Sequence, residues 1–183
     1  MLGESFDPAL VAARQGEAWA WTSLYQDLAG QVRGYLAGRG AADPDDLASE
    51  TFLQVARGIG SFQGGEAEFR SWVFVIAHRR LIDERRAASR GPTVVSGPDA
   101  DSVLHAMPAE SAEDVAMEGH RSVEFSAQLA SLTDDQRDVL MLRVIGDFSV
   151  RDTAGILGKS EGAIKVLQHR AIAALRKSLS GDA

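Results

Sequence analysis

The chain has 183 residues, 45% hydrophobic and 25% charged, with a formal net charge of −7 and no cysteine, which excludes a disulfide framework and a thiolate metal site. Its four histidines, at 78, 105, 120 and 169, are too scattered for a metal centre. No apolar run reaches the roughly eighteen residues of a membrane span, and the acidic start (Glu4, Asp7, Pro8) is unlike a secretory signal, so a cytoplasmic protein of one or two small domains is expected.

Charge is unevenly divided. Residues 91–122 carry six acids against one arginine, while residues 123–183 carry eight of each. Contact with nucleic acid must therefore use local basic faces, and weak binding is expected of the isolated chain.

Asp7 and Pro8 open a helix expected to run to Arg14, interrupted at Gly16. Trp19, Leu24, Tyr25, Leu28, Val32 and Leu36 recur at helical spacing up to Gly38 and predict a second helix with these residues in the core; Trp21 lies off that stripe, towards the surface. Asp43-Pro44-Asp45-Asp46 reads as the start of a third helix, to about Gly58, with Asp43 as cap and carboxylates near the positive dipole end. Leu47, Phe52, Val55 and Ile59 pack inward. Asp46, Glu50 and Gln54 form an outer stripe flanked by Asp45, Ser49 and Arg57, which on its residues alone is a solvated face.

Phe62 to Glu68, with Gly64-Gly65, reads as a loop. A long helix is then expected from Phe69 to Arg86, with Phe69, Trp72, Val73 and Ile76 on its apolar face and a basic end of Arg79, Arg80, Arg85 and Arg86. These arginines make a strongly basic end, and Phe74 is an aromatic off the apolar face that is available for stacking. Core packing is the competing reading for Phe74 and the expected one for Trp72.

Residues 91–122, Pro-containing and acidic, read as a flexible linker. Phe125, Leu129 and Leu132 lead into a C-terminal unit. Thr133 and Gln136 have capping-box spacing before a helix to Val144. Ser149 caps a short helix that Gly158 ends in the left-handed conformation, and Ser160 caps a last helix to about Lys177. Ala154 is the small residue at their crossing. Ile164, Leu167, Ala171 and Leu175 point inward, while Gly162, Lys165, Val166, His169, Arg170, Ala173, Arg176 and Lys177 face out. The spacing is that of a helix-turn-helix. Its second helix suits a DNA major groove, with Ser160, Glu161, Gly162 and Ala163 near base edges and the later charges near phosphates; an amphipathic pair closing a small bundle has the same spacing.

LTDDQRDVLMLRVIGDFSVRDTAGILGKSEGAIKVLQHRAIAALR, from Leu132 to Arg176, resembles region 4 of the extracytoplasmic-function sigma factors of the sigma-70 family, without a gap. DPDDLASETFLQVARGIGSF, from Asp43, is similar to the family's region 2.2. That likeness implies that Asp45, Asp46, Ser49, Glu50, Gln54 and Arg57 dock on the clamp helices of the polymerase β′ subunit. Phe69, Trp72, Ile76, Ala77, Asp83, Arg85 and Arg86 match regions 2.3 and 2.4, which imply recognition and melting of the −10 element by Gly64, Gly65, Phe74, Arg79, Arg80, Arg85 and Arg86. Arg79 stands where Asn is usual and Arg57 near the usual Trp. In the last helix the family's KSRLxRAR becomes Lys165-Val166-Leu167-Gln168-His169-Arg170-Ala171-Ile172, so an altered −35 preference is expected.

The resemblance implies an all-α fold of two small domains, region 2 at 1–90 and region 4 at 123–183, joined by the linker at 91–122, either a plain tether or a segment threading into the polymerase. The expected function is that of a sigma factor directing promoter-specific initiation. Its expected partners are the β′ and β subunits of RNA polymerase core, promoter DNA and an anti-sigma factor. No catalysis, metal or cofactor is expected, because the chain has neither a P-loop nor a nucleophile beside a base. Two alternatives are a helix-turn-helix regulator that is not a sigma and a sigma mimic that sequesters an anti-sigma factor.

Overall fold

The structure is a computed structural model that describes residues 1–90, 129 and 131–180, without the side chains of residues 90, 179 and 180; the expected linker and Phe125 lie outside the described residues. The N-terminal unit comprises α1 (Phe6–Arg14), α2 (Ala18–Gly38), α3 (Pro44–Gly58) and α4 (Glu66–Arg90). The C-terminal unit comprises α5 (Asp134–Val144), α6 (Val150–Leu157) and α7 (Glu161–Ser180).

Helix ends sit where side chains can satisfy free backbone donors. Asp43 accepts from the N–H groups of Asp45 (3.1 Å) and Asp46 (2.9 Å). Thr133 and Gln136 close a reciprocal capping box, and Ser149 and Ser160 accept from the N–H groups of Asp152 (3.1 Å) and Ala163 (3.2 Å). Gly158 ends α6 at φ 63°, and a Cβ placed there would meet nothing within 4 Å. Backbone conformation alone therefore favours glycine at that turn.

Three local expectations change. α4 begins at Glu66 rather than Phe69, because Glu68 Oε2 accepts the Gly65 N–H (3.0 Å) and satisfies the first turn, and it continues to Arg90. Phe62 belongs to the core, where its ring stacks on Trp72 at 5.1 Å and meets Phe69 edge-on at 5.4 Å. On α2 the buried stripe runs Ala20, Leu24, Leu28, Val32, Tyr35, Leu36. Ala20 occupies the position four before Leu24, so Trp19 turns outward (54% exposed) and Trp21 packs partly against the core.

The two helical units do not stand apart; one apolar core runs through both. Met141 of α5 and Ile145 just after it lie over Gly38 and Gly34 of α2, whose missing Cβ atoms leave room for them. Phe148, between α5 and α6, meets Phe74 of α4 edge-on at 4.7 Å, and the Arg70 guanidinium lies 5.2 Å over the Phe148 ring. Through Nη2 the same arginine donates to the Gly146 carbonyl (2.9 Å) and to Gln31 Oε1 (3.0 Å).

A buried ion pair sits at the centre of this seam. Arg39, fully buried at the end of α2, donates through Nε to Asp138 Oδ1 and through Nη2 to Oδ2 (3.1 Å) on α5. The Tyr35 hydroxyl donates to Asp138 Oδ1 at 3.0 Å, and Arg39 Nη1 donates to Asp134 at 3.2 Å. Burial opposes the Arg39 charge, but the Asp138 carboxylate beside it leaves its pKa raised. Burial, with the neighbouring Asp138 charge, pushes the Tyr35 hydroxyl well above its ordinary value.

His78 Nδ1 lies 2.8 Å from Tyr35 Oη and 3.7 Å from Asp138 Oδ1. Burial lowers its pKa below the ordinary 6.5 against the pull of Asp138, with Arg39, Arg85 and Lys159 adding to the lowering. An unfolded imidazole thus takes up a proton that the folded one resists, so this contribution to stability is complete above pH 6.5 and is lost as pH falls below it. The urea midpoint should fall between pH ~7.5 and ~5.5, and His78→Gln should flatten that fall. Gly158→Ala should cost about 1 kcal/mol, read as a lower thermal midpoint.

Candidate nucleic-acid interface

The outward face of α7 is an open charged surface. Ser160, Glu161, Gly162, Lys165, Val166, His169 and Arg170 are exposed, as are Ala173, Arg176 and Lys177 further along, while Ala163 is half-buried. The inward side sets this orientation: Ile164 packs with Val139 and Ala154 in a small cluster at the helix crossing, and Ala171 is fully buried. Arg143 on α5 holds α7 in place, donating through Nε to Gln168 Oε1 (3.3 Å) and through Nη1 to the Phe148 carbonyl. At the start of α7 an open cleft of about 520 Å³ is lined by Ser160, Gly162, Ala163, Val166 and Arg170, with Asp135 and Lys159, paired at 2.9 Å, on its rim.

On α3, Asp45, Asp46, Gln54 and Arg57 are exposed, and Ser49 and Glu50 are half-buried. That face is tied to α4: Arg80 lies 3.4 Å from Glu50 Oε2 and donates through Nε to Gln54 Oε1 (3.0 Å). Arg33 sits 3.7 Å from Asp45, and the Ser49 hydroxyl donates to the Asp45 carbonyl (2.9 Å). Arg80 and Glu50 are both about a third or more exposed, so the pair is worth well under about 1 kcal/mol.

The third surface is the basic end of α4 and the loop before it. Gly64 and Gly65 are exposed; Gly64 has φ 142°, and a Cβ there would come 2.8 Å from Glu68 Cβ. Arg79 and Arg86 are exposed, with Arg86 3.8 Å from Asp83. Arg85 reaches across the seam, with Nη1 3.3 Å from Asp134 and Nη2 donating to the Arg39 carbonyl.

Phe74 is a correction. It is not a free stacking surface in this arrangement but fully buried, between Tyr35 (5.7 Å) and Phe148 (4.7 Å). The C-terminal unit covers a side of α4 that the first domain alone would leave open.

Sequence reasoning missed the seam: Tyr35, Arg39, Arg70, His78, Asp138 and Phe148 had no assigned role. One signal was present. Along α5 and its C-cap the steps from Asp134 through Asp138 and Met141 to Ile145 place acids on the stripe that carries the apolar residues, and an acid on a buried stripe demands a cation from elsewhere.

Comparison with known proteins agrees with this architecture. The profile of Sigma-70 region 2 matches residues 20–91, and that of Sigma-70, region 4 matches residues 122–175. The ECF RNA polymerase sigma factor BldN of Streptomyces coelicolor is 34% identical over 175 residues, 93% of this chain; the chain spans 64% of that relative's length. ShbA of Streptomyces griseus, also an ECF RNA polymerase sigma factor, is 31% identical over 72% of this chain and 69% of its own. In fold the chain is similar to CnrH, solved with the cytosolic domain of CnrY (TM-score 0.68, 21% identity, 96% of this chain and 97% of that one). It is likewise similar to RpoE of Bartonella quintana, solved with the anti-sigma factor NepR (TM-score 0.65, 21% identity, 88% and 98%). With both region profiles matched in order and two ECF relatives above 30% identity, the chain belongs to the extracytoplasmic-function sigma factors of the sigma-70 family.

Proposed function

We propose that this chain is the promoter-specificity subunit of a bacterial RNA polymerase and carries out no chemistry of its own. The outward face of α7 carries the reading: Lys165, His169, Arg170 and Lys177 stand exposed on the second helix of a helix-turn-helix, in a chain whose overall charge is −7. In this role Ser160, Glu161, Gly162 and Ala163 meet −35 base edges, and Lys165, His169 and Arg170 meet phosphates. Val166 replaces a polar group with a methyl-bearing one and suits a thymine methyl.

Region 2 serves two partners. Asp45, Asp46, Ser49, Glu50, Gln54 and Arg57 dock on β′, and Gly64, Gly65, Arg79, Arg80, Arg85 and Arg86 hold the −10 element. β′ engagement of Glu50 and Gln54 would release Arg80 to a phosphate. An anti-sigma factor, the class of partner named for the Bartonella quintana structure, is proposed to hold the chain inactive in the cytoplasm by covering these faces. Residues 91–122 serve as the tether.

Run-off transcription with core polymerase and no other sigma tests the reading. Discrete starts are expected; a helix-turn-helix regulator or an anti-sigma decoy would yield none, and that result overturns the proposal. Lys165→Glu with Arg170→Glu should weaken binding of the holoenzyme to a −35-containing promoter roughly tenfold or more and steeply with salt, leaving core association intact. Glu50→Lys with Gln54→Lys should reverse the pattern, with co-purification with core lost and the α7 face unaffected.

A further inference from the structure

We propose that Arg14, the last residue of α1, is a positioning residue for −10 recognition: it holds the loop between α3 and α4 in the shape that presents Gln63, Gly64 and Gly65 to an unpaired base. This rests on the sigma reading above, which gives the glycine loop to the −10 element, but the hold itself is geometry. Arg14 Nε donates to the Ile59 carbonyl (3.3 Å) and Nη2 to the Phe62 carbonyl (2.5 Å). One guanidinium thus spans the 3₁₀ turn Ile59–Ser61 that follows α3 and the residue after it. A planar fork fixes two carbonyls at once, which the single ammonium of a lysine does not.

The grip reaches the tip of the loop through Phe62. Its ring is stacked on Trp72 and meets Phe69 edge-on, and Gly64 lies against it: a Cβ there would come 3.2 Å from Phe62 Cζ. The far end is tied as well, where Glu68 Oε2 accepts the Gly65 N–H (3.0 Å) and Glu66 Oε2 accepts the Gly3 N–H (3.2 Å). Between these anchors Gln63, Gly64 and Gly65 remain exposed. The two glycines have no side chain to adjust to a base, so their backbone groups serve a base edge only when already in place as the strand opens. A tip that had to be ordered at that moment would lose affinity by the entropy of ordering it. An arginine at a helix C-terminus also stabilises the helix through its dipole, and the two roles separate in what a variant changes.

Arg14 is exposed, so replacing it leaves no cavity in the core. The test uses holoenzyme reconstituted from core polymerase and the full chain, with a random-sequence single-stranded DNA pool as the probe. The parent should enrich strands with a strong base preference at the position the loop holds. Arg14→Met keeps an apolar stem and removes both donors; it should lower that preference about tenfold, with core association and binding of a −35 duplex unchanged. Arg14→Lys, which keeps the charge without the fork, should fall between the two. A role confined to the helix end gives a different pattern: a lower thermal midpoint, restored by Arg14→Lys, with base preference at the parent's level, and that pattern overturns the proposal. Amide hydrogen exchange of the full chain reads the hold without DNA. The Phe62 amide, bonded to the Ile59 carbonyl, and the Gly65 amide should exchange at least about tenfold faster in Arg14→Met, with Val32 and Leu36 of α2 unchanged. Exchange as slow as the parent's overturns the hold whatever the DNA result. If the parent holoenzyme enriches no strand, the sigma reading falls instead, while exchange still decides whether Arg14 holds the loop.

Discussion

The rest of the arrangement depends on one interaction, the forked ion pair between Arg39 at the end of α2 and Asp138 on α5. A charge removed from water is tolerated only when a counter-charge and further hydrogen bonds replace the solvent; stranding one partner of such a pair costs about 3–5 kcal/mol. Around Asp138 the Tyr35 hydroxyl accordingly donates to Oδ1 at 3.0 Å, and His78 Nδ1 lies 3.7 Å from the same oxygen. The pair adds little net attraction over an apolar contact of the same shape, but it sets the register. With Met141 seated at Gly38 and Ile145 at Gly34, the fork and the carboxylate meet.

The charged side chains fall into those exposed on outer helix faces and those drawn into ion pairs between helices. Among the described residues the outer face of α7, with Lys165, His169 and Arg170, and the outer face of α3, with Asp46 and Gln54, are exposed. The basic end of α4 is different. Arg85 is drawn towards Asp134, and Arg80 towards Glu50 and Gln54. Acids of the protein itself thus sit beside these cations: Asp134 beside Arg85 and Glu50 beside Arg80.

Much of the fold was legible because it is local. Asp43, Thr133, Ser149, Ser160 and Gly158 mark helix ends through hydrogen bonds or backbone angles that span a few residues, and the inward face of α7 follows from steps of three and four. The outward placement of Lys165, His169 and Arg170, and of Asp46 and Gln54, follows from the same periodicity. Local reasoning failed where a stripe was followed one turn too far, as with Trp19, or where glycines hid a capping interaction, as with Glu68 and Gly65.

By itself the sequence determined two sets of helices, their amphipathic faces, and the helix-turn-helix that presents the basic side of α7. Only the tertiary structure decided that Phe74 is interior rather than free, and that Arg39 and Asp138 belong together. The reason lies in sequence separation. A periodic pattern records which face of a helix is buried but not against what, and the partner of Asp138 lies 99 residues away, beyond the reach of any spacing rule.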